Sequence, residues 1–482
     1  MSNYGSIPLK QQLSKAERDL LQSDRPGYGS HTKVAVALNL VNATVGAGII
    51  GLPFAIARAG FFTGILASIV VAALAQIGLF MLILAGQRVG IYKFALLVEY
   101  LLGRPGYHFL NFMICVQAGV VLLPMLCERY LPQWPLLANR TFILVFVGIV
   151  CILPLNMSRS IGSLARWSIV SVLCLPVILL TILIRAPAYA PKEGISLEWV
   201  GQDVFGALGI MAFAFTCHQV AFNNFLTLKD QTTTGWKHTT LLSTGLSWLI
   251  SMTFAVIGYM CFGSHVQPNL FMNFASDDPI VNLGRLALSV SMILTIPMGI
   301  FPTREAIQKS LGFETATQQP TDTQHYAVTF VLFGALLGCA VAVRSLGTVY
   351  SLVGGFSATT LAYILPAAAY LVTRSTYLKN ISAQANMPKN FIGVFPTLTG
   401  STILTPDESD LKTPILWETA SCSSSRQILI DDDVSTVNSD LLENDVIDIS
   451  LRPRWWLDIA AVLLILWGFV VMFFSISATL QG

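Results

Sequence analysis

The sequence predicts an all-α polytopic membrane protein with eleven transmembrane helices, and three observations lead to this fold class. Hydrophobic residues make up 54% of the 482-residue chain and charged residues only 11%, whereas soluble domains carry about 25% charged residues. Uncharged apolar runs recur along the chain, most of them near the ~20 residues that a helix needs to cross a bilayer. The first run also carries glycines and a proline at its centre, which is typical of helices interrupted inside a membrane.

The apolar runs set the order and the limits of the predicted spans. Each run lacks interior Asp, Glu, Lys and Arg, and polar segments separate it from the next. The runs cover residues 34–57, 59–87, 109–127, 141–158, 167–184, 204–228, 239–264, 286–303, 326–343, 345–373 and 459–480.

The first run, Val34 to Ala57, is predicted to be two half-helices. Gly46 and Gly48 lie at its centre, and Pro53 follows shortly after them. Proline is tolerated in the first turn of a helix, so a break just before Pro53 would start a second half-helix there. Free backbone groups at such a break must be packed in protein or line a cavity. The alternative is that these glycines only let neighbouring helices approach closely.

The predicted break offers groups that suit a carboxylate. The second half-helix would direct its N-terminal N–H groups into the middle of the membrane, where they favour negative charge. Asn42 and Thr44 add neutral oxygen atoms beside the break.

The sixth run carries a polar group at mid-depth, formed by Phe215, Thr216, Cys217 and His218. Here an interruption is expected from the position of the run more than from its composition, because the group contains no glycine or proline. Apart from cysteine thiols, His218 is the only ionisable side chain near the middle of a predicted span. Such a group is a functional candidate by default. The alternative is a neutral imidazole that hydrogen-bonds a backbone carbonyl and joins two helices.

A cation site can also be read from neutral oxygens in the first and eighth runs. Thr295 precedes Pro297 in the eighth run, and a hydroxyl beside a helix distortion can offer its oxygen to an ion. Asn42 in the first run is a second donor. The alternative for Thr295 is a bond to its own helix backbone.

Composition and motifs exclude several other classes of function. The net charge of +2 leaves no broad basic surface for nucleic acid. The eight cysteines are not spaced as a metal site and are predicted to be small core residues. Hydrolase, metalloprotease and phosphate-loop signatures are missing from the sequence, so we expect no enzyme activity and no cofactor.

The segments outside the runs predict the topology. An excess of Lys and Arg near the span ends places the N-terminus in the cytosol. The sequon at Asn139 then lies on the far side and is a glycosylation candidate. The predicted parts are a disordered cytosolic tail at 1–33, ten helices at 34–373, a mostly disordered cytosolic loop at 374–454, and an eleventh helix with a short tail at 455–482.

Three segments resemble the amino acid/auxin permease family. NLVNATVGAGIIGLPFAIARAG at 39–60 is similar to the first helix of that family, FAFTCHQ at 213–219 to the sixth, and ILTIPMGIFPTREAI at 293–307 to the eighth. Within the family, the chain looks closest to the sodium-coupled neutral amino acid transporter-like and fungal vacuolar amino acid transporter branch. Relatives with proline and an acidic residue after the sixth-helix histidine differ from this chain, which has Gln219 and Val220.

The resemblance implies a leucine-transporter-like fold of two inverted five-helix repeats plus an eleventh helix. It implies that substrate is held at the breaks of the first and sixth helices. The positions that match substrate-binding residues are Thr44, Gly46, Ala47, Gly48, Phe215, Thr216, Cys217 and His218, and those that match sodium ligands are Asn42 and Thr295.

From these observations we expect a secondary active transporter of amino acids that works by alternating access. Coupling to protons through His218 is favoured over coupling to sodium, and an internal membrane, vacuole or endoplasmic reticulum, over the plasma membrane. The expected partners are the amino acid, the coupling ion and the lipid bilayer. Aliphatic patches in the 374–454 loop could also bind a cytosolic protein, and the alternative is that the loop is a solvated linker without a partner. The alternative is an amino acid sensor on the same fold that signals through this loop.

Overall fold

The computed structural model describes residues 26–117, 140–157, 161–191, 194–313, 320–342, 346–385, 451 and 453–481. Within these ranges the regular structure is helical, and β structure is limited to one isolated bridge between His31 and Leu228. The chain divides into two units, one formed by 1–377 with 453–482 and the other by 378–452. The Asn139 sequon and most of the predicted 374–454 loop lie outside the described residues.

The helices follow the order of the predicted spans, and two of them are interrupted. We number them α1 to α11 in chain order and call the halves of the interrupted ones a and b. They are α1a (Lys33–Thr44), α1b (Leu52–Ala59), α2 (Phe61–Val89), α3 (Phe94–Gln117), α4 (Arg140–Val147, continued by Gly148–Ile152 and Leu153–Asn156), α5 (Ile161–Tyr189), α6a (Val204–Ala214), α6b (Ala221–Thr227), α7 (Thr233–Phe262), α8 (Pro279–Ser310), α9 (Asp322–Ala342), α10 (Leu346–Val353, continued through Leu365–Ala385) and α11 (Trp455–Gln481).

Several of these helices are long and apolar enough to cross a membrane. Among the described residues, five helices are long and apolar enough, and α1a with α1b makes a sixth if the bent pair counts as one span. The five are Phe61–Val89, Val204–Thr227, Thr233–His265, Tyr350–Lys379 and Trp455–Thr479. The protein is therefore a multi-pass helical membrane protein, and the number of eleven spans stays a prediction.

Helix α3 differs most from its predicted limits, because it begins at Phe94 and not near residue 109. Gly103 interrupts it with a φ of 69°, and Pro105 follows in the first turn of the second part. The apolar-run rule excluded the first part because Glu99 and Arg104 carry charges. Arg104 lies exposed at the kink, where its charge can stay in solvent.

Helix α10 contains two π-helical segments, Gly354–Ala358 and Thr360–Ile364. A Cβ atom on Gly354 would collide with the carbonyl oxygen of Gly209 in α6a, and one on Gly355 would lie 2.7 Å from the hydroxyl of Ser475 in α11. The two glycines therefore allow α10 to approach α6a and α11 closely. π-helical turns are rare and often accompany functional sites.

The predicted tail at 1–33 is described from Pro26 onward, and this part contacts the chain after α6b. The N–H groups of Ser30 and His31 donate to the Thr227 carbonyl at 3.0 and 2.9 Å, and the Lys229 N–H donates to the His31 carbonyl at 2.9 Å. The last residues of this segment are thus held by backbone hydrogen bonds, which a polar composition did not indicate.

Candidate functional site

Helix α1 is broken where its glycines predicted. α1a ends at Thr44, and the Val45 N–H donates to the Val41 carbonyl at 2.7 Å to close its last turn. A 3-10 turn then runs over Ala47–Gly51 and leads into α1b, with Pro53 in the first turn of that helix. The segments before and after the break meet at 55°.

Helix α6 is broken at the polar group that the sequence singled out. α6a ends at Ala214, residues 215–217 are not helical, and a 3-10 turn at His218–Val220 leads into α6b. The hydroxyl of Thr216 donates to the Ala212 carbonyl at 2.5 Å and so satisfies an acceptor at the end of α6a. The interruption expected from position alone is therefore confirmed.

The two breaks lie against each other. A Cβ atom on Gly48 would lie 2.8 Å from the Cβ of Ala214 and would collide with the Ala214 Cα, so only glycine allows this approach. The thiol of Cys217 lies beside the hydroxyl of Thr44, which donates to the Leu40 carbonyl at 2.7 Å. The contact thus joins the end of α1a to the break of α6.

Gly46 borders an open space at this junction. No heavy atom of the described residues lies within 4 Å of the position that its Cβ would occupy, whereas Gly48 is tightly packed. The side chains of Phe215, Thr216 and Cys217 are buried around the second break. Gly46 itself is only partly buried, so its backbone groups are accessible beside the second break.

His218 lies on another side of the broken helix from Cys217. Its ring is fully buried, and its Nε2 atom would lie 2.9 Å from a Cβ on Gly78 of α2, which is itself in close contact with the Ala362 carbonyl of α10. The imidazole is thus packed among α2, α6 and α10. Within the described chain neither ring nitrogen has a hydrogen-bond partner of normal geometry, although the ring also lies near the backbone of Ala75.

The two sodium-ligand candidates are placed less fully. Asn42 is buried in α1a, just before the break. Thr295 lies within α8, but its side chain is outside the described part of the structure, as is the side chain of Ala47. Apolar side chains of both helices, among them Val41, Val45, Leu288 and Met292, belong to one hydrophobic cluster.

Two residues that the sequence did not single out help to shape the junction. Ala214 packs against Gly48, and the buried ring of Tyr350 in α10 lies against both Gly51 and Phe213. A Cβ on Gly51 would lie 2.8 Å from the Tyr350 ring, and the rings of Tyr350 and Phe213 are 5.3 Å apart. Tyr350 lies near the start of a predicted span, where no polar or glycine pattern drew attention to it.

Metal and catalytic constellations are not part of this site. In the described ranges, no three His, Cys, Asp or Glu side chains are grouped so that they could hold a metal ion. The polar groups at the junction are backbone, hydroxyl, thiol and amide groups.

The helices are apolar, two of them are broken, and the two breaks contact each other inside the bundle. These features together define a membrane transporter of the broken-helix class. The same fold is found in a nucleobase-cation-symport-1 family transporter, solved in a closed conformation with bromovinylhydantoin bound. The TM-score is 0.50 at 14% identity, and the match covers 73% of this chain and 81% of that one. At this identity the likeness concerns the fold alone.

The chain belongs to the transmembrane amino acid transporter protein family, whose family model matches residues 29–405. Mus musculus "Putative sodium-coupled neutral amino acid transporter 11" is 30% identical over 386 residues, which is 76% of this chain and 83% of that protein. Vacuolar amino acid transporter 2 of Saccharomyces cerevisiae is 26% identical over 68% of this chain and 74% of its own length. These relatives are named as transporters and not as enzymes, in agreement with the missing catalytic signatures.

Proposed function

We propose that this protein is a secondary active transporter that binds an amino acid at the contact between the breaks of α1 and α6 and moves it by alternating access. The observation that carries the proposal is this contact, where Gly46 borders an open space beside the packed pair Gly48 and Ala214. Family membership supports an amino acid as the substrate.

The substrate carboxylate would meet backbone N–H groups at Gly46, Ala47 and Gly48. These groups start the 3-10 turn that leads into α1b, so part of their hydrogen-bonding capacity is free for a ligand. Thr44 and the residues Phe215 to Cys217 would surround the rest of the substrate. Cys217 and Thr44 lie beside each other on the two helices, so a ligand bound there would contact both α1a and α6.

The coupling ion is proposed to be a proton carried by His218. Apart from the Cys217 thiol, its imidazole is the buried ionisable group closest in sequence to the break of α6, and it is packed between α6 and the helices α2 and α10. A positive charge there would be costly without a partner, so protonation would favour a state in which these helices separate and water enters. His218 would then act on the packing of the bundle more than on the substrate itself.

Sodium is the second candidate, and the name of the mouse relative favours it. Asn42, Thr295 and the carbonyls freed at the break of α1 would form the cage.

The test is transport by the purified protein in proteoliposomes. We expect counterflow exchange of neutral amino acids and uptake driven by an imposed pH gradient. His218→Gln keeps hydrogen bonding but cannot titrate, so pH-driven uptake should disappear while counterflow persists. Uptake that needs sodium and is lost in Thr295→Ala would replace the proton proposal. Binding without any flux would favour a sensor.

The location and topology belong to the same proposal. Similarity to a vacuolar transporter of yeast supports an internal membrane. We propose eleven spans with the N-terminus and the 374–454 loop in the cytosol, and a cytosolic protein as a partner of that loop. A glycan on Asn156 or Asn380, in place of Asn139, would reverse this orientation.

A further inference from the structure

The ends of the two broken helices are joined in pairs, on both sides of the break region. At one end, residues 27–33 before α1a contact residues 227–231 after α6b, and we call this contact the tail clasp. At the other end, residues 58–63, which run from the end of α1b into the start of α2, contact residues 199–203 before α6a, and we call this contact the loop clasp.

Backbone groups form the centre of the tail clasp. Besides the bonds of Ser30, His31 and Lys229, the Gly27 N–H donates to the side-chain carbonyl of Gln231 at 2.6 Å. A Cβ on Gly29 would collide with the Leu228 carbonyl oxygen and would lie 2.8 Å from the Gln231 amide nitrogen. The tail clasp thus depends on a close backbone contact that a side chain at Gly29 would prevent.

The loop clasp is built in the same way. The N–H groups of Gly201 and Asp203 donate to the Ala59 and Arg58 carbonyls at 2.7 and 3.0 Å. A Cβ on Gly201 would collide with the Arg58 carbonyl oxygen. Each clasp therefore pairs chain before one broken helix with chain after the other.

Each clasp also carries one ion pair with the same polarity. Lys33 contacts Asp230 at 2.8 Å in the tail clasp, and Arg58 contacts Asp203 at 3.5 Å in the loop clasp. The cation belongs to α1 and the carboxylate to the chain of α6 in both cases. An inverted repeat that exchanges α1 with α6 would exchange the positions of the two clasps, with the cation and the carboxylate reversed in each ion pair.

We propose that the tail clasp couples α1a to α6b and the loop clasp couples α1b to α6a, so that each pair of half-helices moves as one body during transport. α1a then cannot leave the bundle alone, because its first residue is held to the end of α6b. The inference rests on the proposed alternating access, but its test reads helix movement and not flux.

Cys217 at the break is a native reporter of this movement. Sealed proteoliposomes are first sorted by the accessibility of an N-terminal tag, which gives the orientation of the protein. A charged maleimide that does not cross membranes is then added from outside. Alkylation of Cys217 is measured by mass spectrometry. Gly29→Val should release α1a and raise the alkylation rate several-fold from the side of the N-terminus. Gly201→Val should do so from the opposite side. Gly245→Ala in α7, where a Cβ meets nothing within 4 Å among described residues, is the matched control.

The ion pair gives a second variant set that does not depend on tight packing. Asp230→Lys alone should raise alkylation by about two- to fivefold, which is the range expected for an exposed pair. The exchange Lys33→Asp with Asp230→Lys should return the rate towards that of the unaltered protein. Amide hydrogen exchange at Ser30 and Lys229 verifies that the clasp has opened. Faster exchange there with an unchanged alkylation rate, or no recovery in the exchanged pair, would overturn the proposal.

Discussion

At the residue scale, two glycines only two positions apart do different work at the break of α1. Gly46 borders open space, while Gly48 allows the backbone of α6a to approach. A sequence pattern cannot separate these roles, because both residues stand in the same Gly-x-Gly unit. The difference depends on which neighbour the fold brings to each position.

This difference gives opposite expectations for the same substitution. Gly46→Val should keep thermal stability near that of the unaltered protein and abolish substrate binding, since the side chain enters the proposed substrate space. Gly48→Val should lower stability by about 1–3 kcal/mol, the usual cost of overpacking, because it collides with Ala214. Thermal unfolding in detergent, with and without substrate, measures both. Full transport by Gly46→Val would contradict the proposed site.

His218 illustrates a limit of prediction at this scale. The sequence identified it as an ionisable group inside a span and grouped it with the substrate residues. Its neighbours Gly78 and Ala362 come from helices far along the chain, so the side on which its ring lies follows from tertiary packing. Cys217, the preceding residue, contacts α1a instead.

At the element scale, α5 and α8 are tied by a carboxylate at the start of α8. Arg185 donates to Asp278 at 2.5 Å, and the Tyr189 hydroxyl donates to the same oxygen at 3.2 Å. The other carboxylate oxygen accepts the N–H groups of Ile280 and Val281 at 3.1 and 3.3 Å, so Asp278 also caps α8.

Two substitutions separate the ion pair from the cap. Burial raises the pKa of Asp278, but the hydrogen bonds from Arg185 and the Val281 N–H outweigh it and hold the pKa below its ordinary value of 3.8. Asp278→Asn keeps the cap and loses the charge, and Asp278→Ala loses both. We expect Asn to lower stability by about 1–2 kcal/mol and Ala by about 1 kcal/mol more.

The stability that the Asp278 carboxylate contributes is expected to depend on pH. A carboxyl group whose folded pKa is lowered contributes stability above its unfolded pKa and loses it as the pH falls through the folded value. The stability gap between the unaltered protein and Asp278→Asn should thus be constant from pH 5 to 8 and close below pH 4. Thermal unfolding across pH 2–8 measures the gap, and a gap that does not narrow as the pH falls below 4 would contradict the assignment.

A helix break or a helix end could be predicted from the local sequence where residues such as glycine and proline indicate it. The break of α1 was readable because Gly46, Gly48 and Pro53 lie together. The break of α6 carries no helix breaker and was expected from position only. The early start of α3 was missed because the charges of its first part mark the end of an apolar run but not the end of a helix.

At the scale of the whole molecule, the paired clasps show that the N-terminal segment is part of the bundle from residue 27 onward. Its contacts join chain segments about two hundred residues apart, such as Gly27 and Gln231, which are separated by 204 positions. Polar composition predicted a tail up to residue 33. The binding partner of this segment lies after α6b, and local sequence holds no information about that distance.

A truncation series tests the contribution of the tail clasp to stability. Removing residues 1–25 leaves every described contact of the tail clasp in place, and this shortened protein is the reference. Removing residues 1–31 deletes the backbone bonds of Ser30 and His31 and should cost about 1–3 kcal/mol, since each bond is worth ~0.5–1.5 kcal/mol. Equal unfolding temperatures for the two truncated proteins would show that the tail clasp contributes nothing to stability.

The separation in sequence also fixes the order in which the molecule is assembled during synthesis. The ribosome adds about 5–20 residues per second, so roughly 10–40 seconds pass between the emergence of Gly27 and that of Gln231. The loop clasp, complete once Asp203 has emerged, can close first, and α1a waits unsecured in the translocation machinery until α6b arrives. A newborn chain therefore passes through an interval in which only one end of its broken helices is fastened, and this interval is the point at which quality control could recognise it.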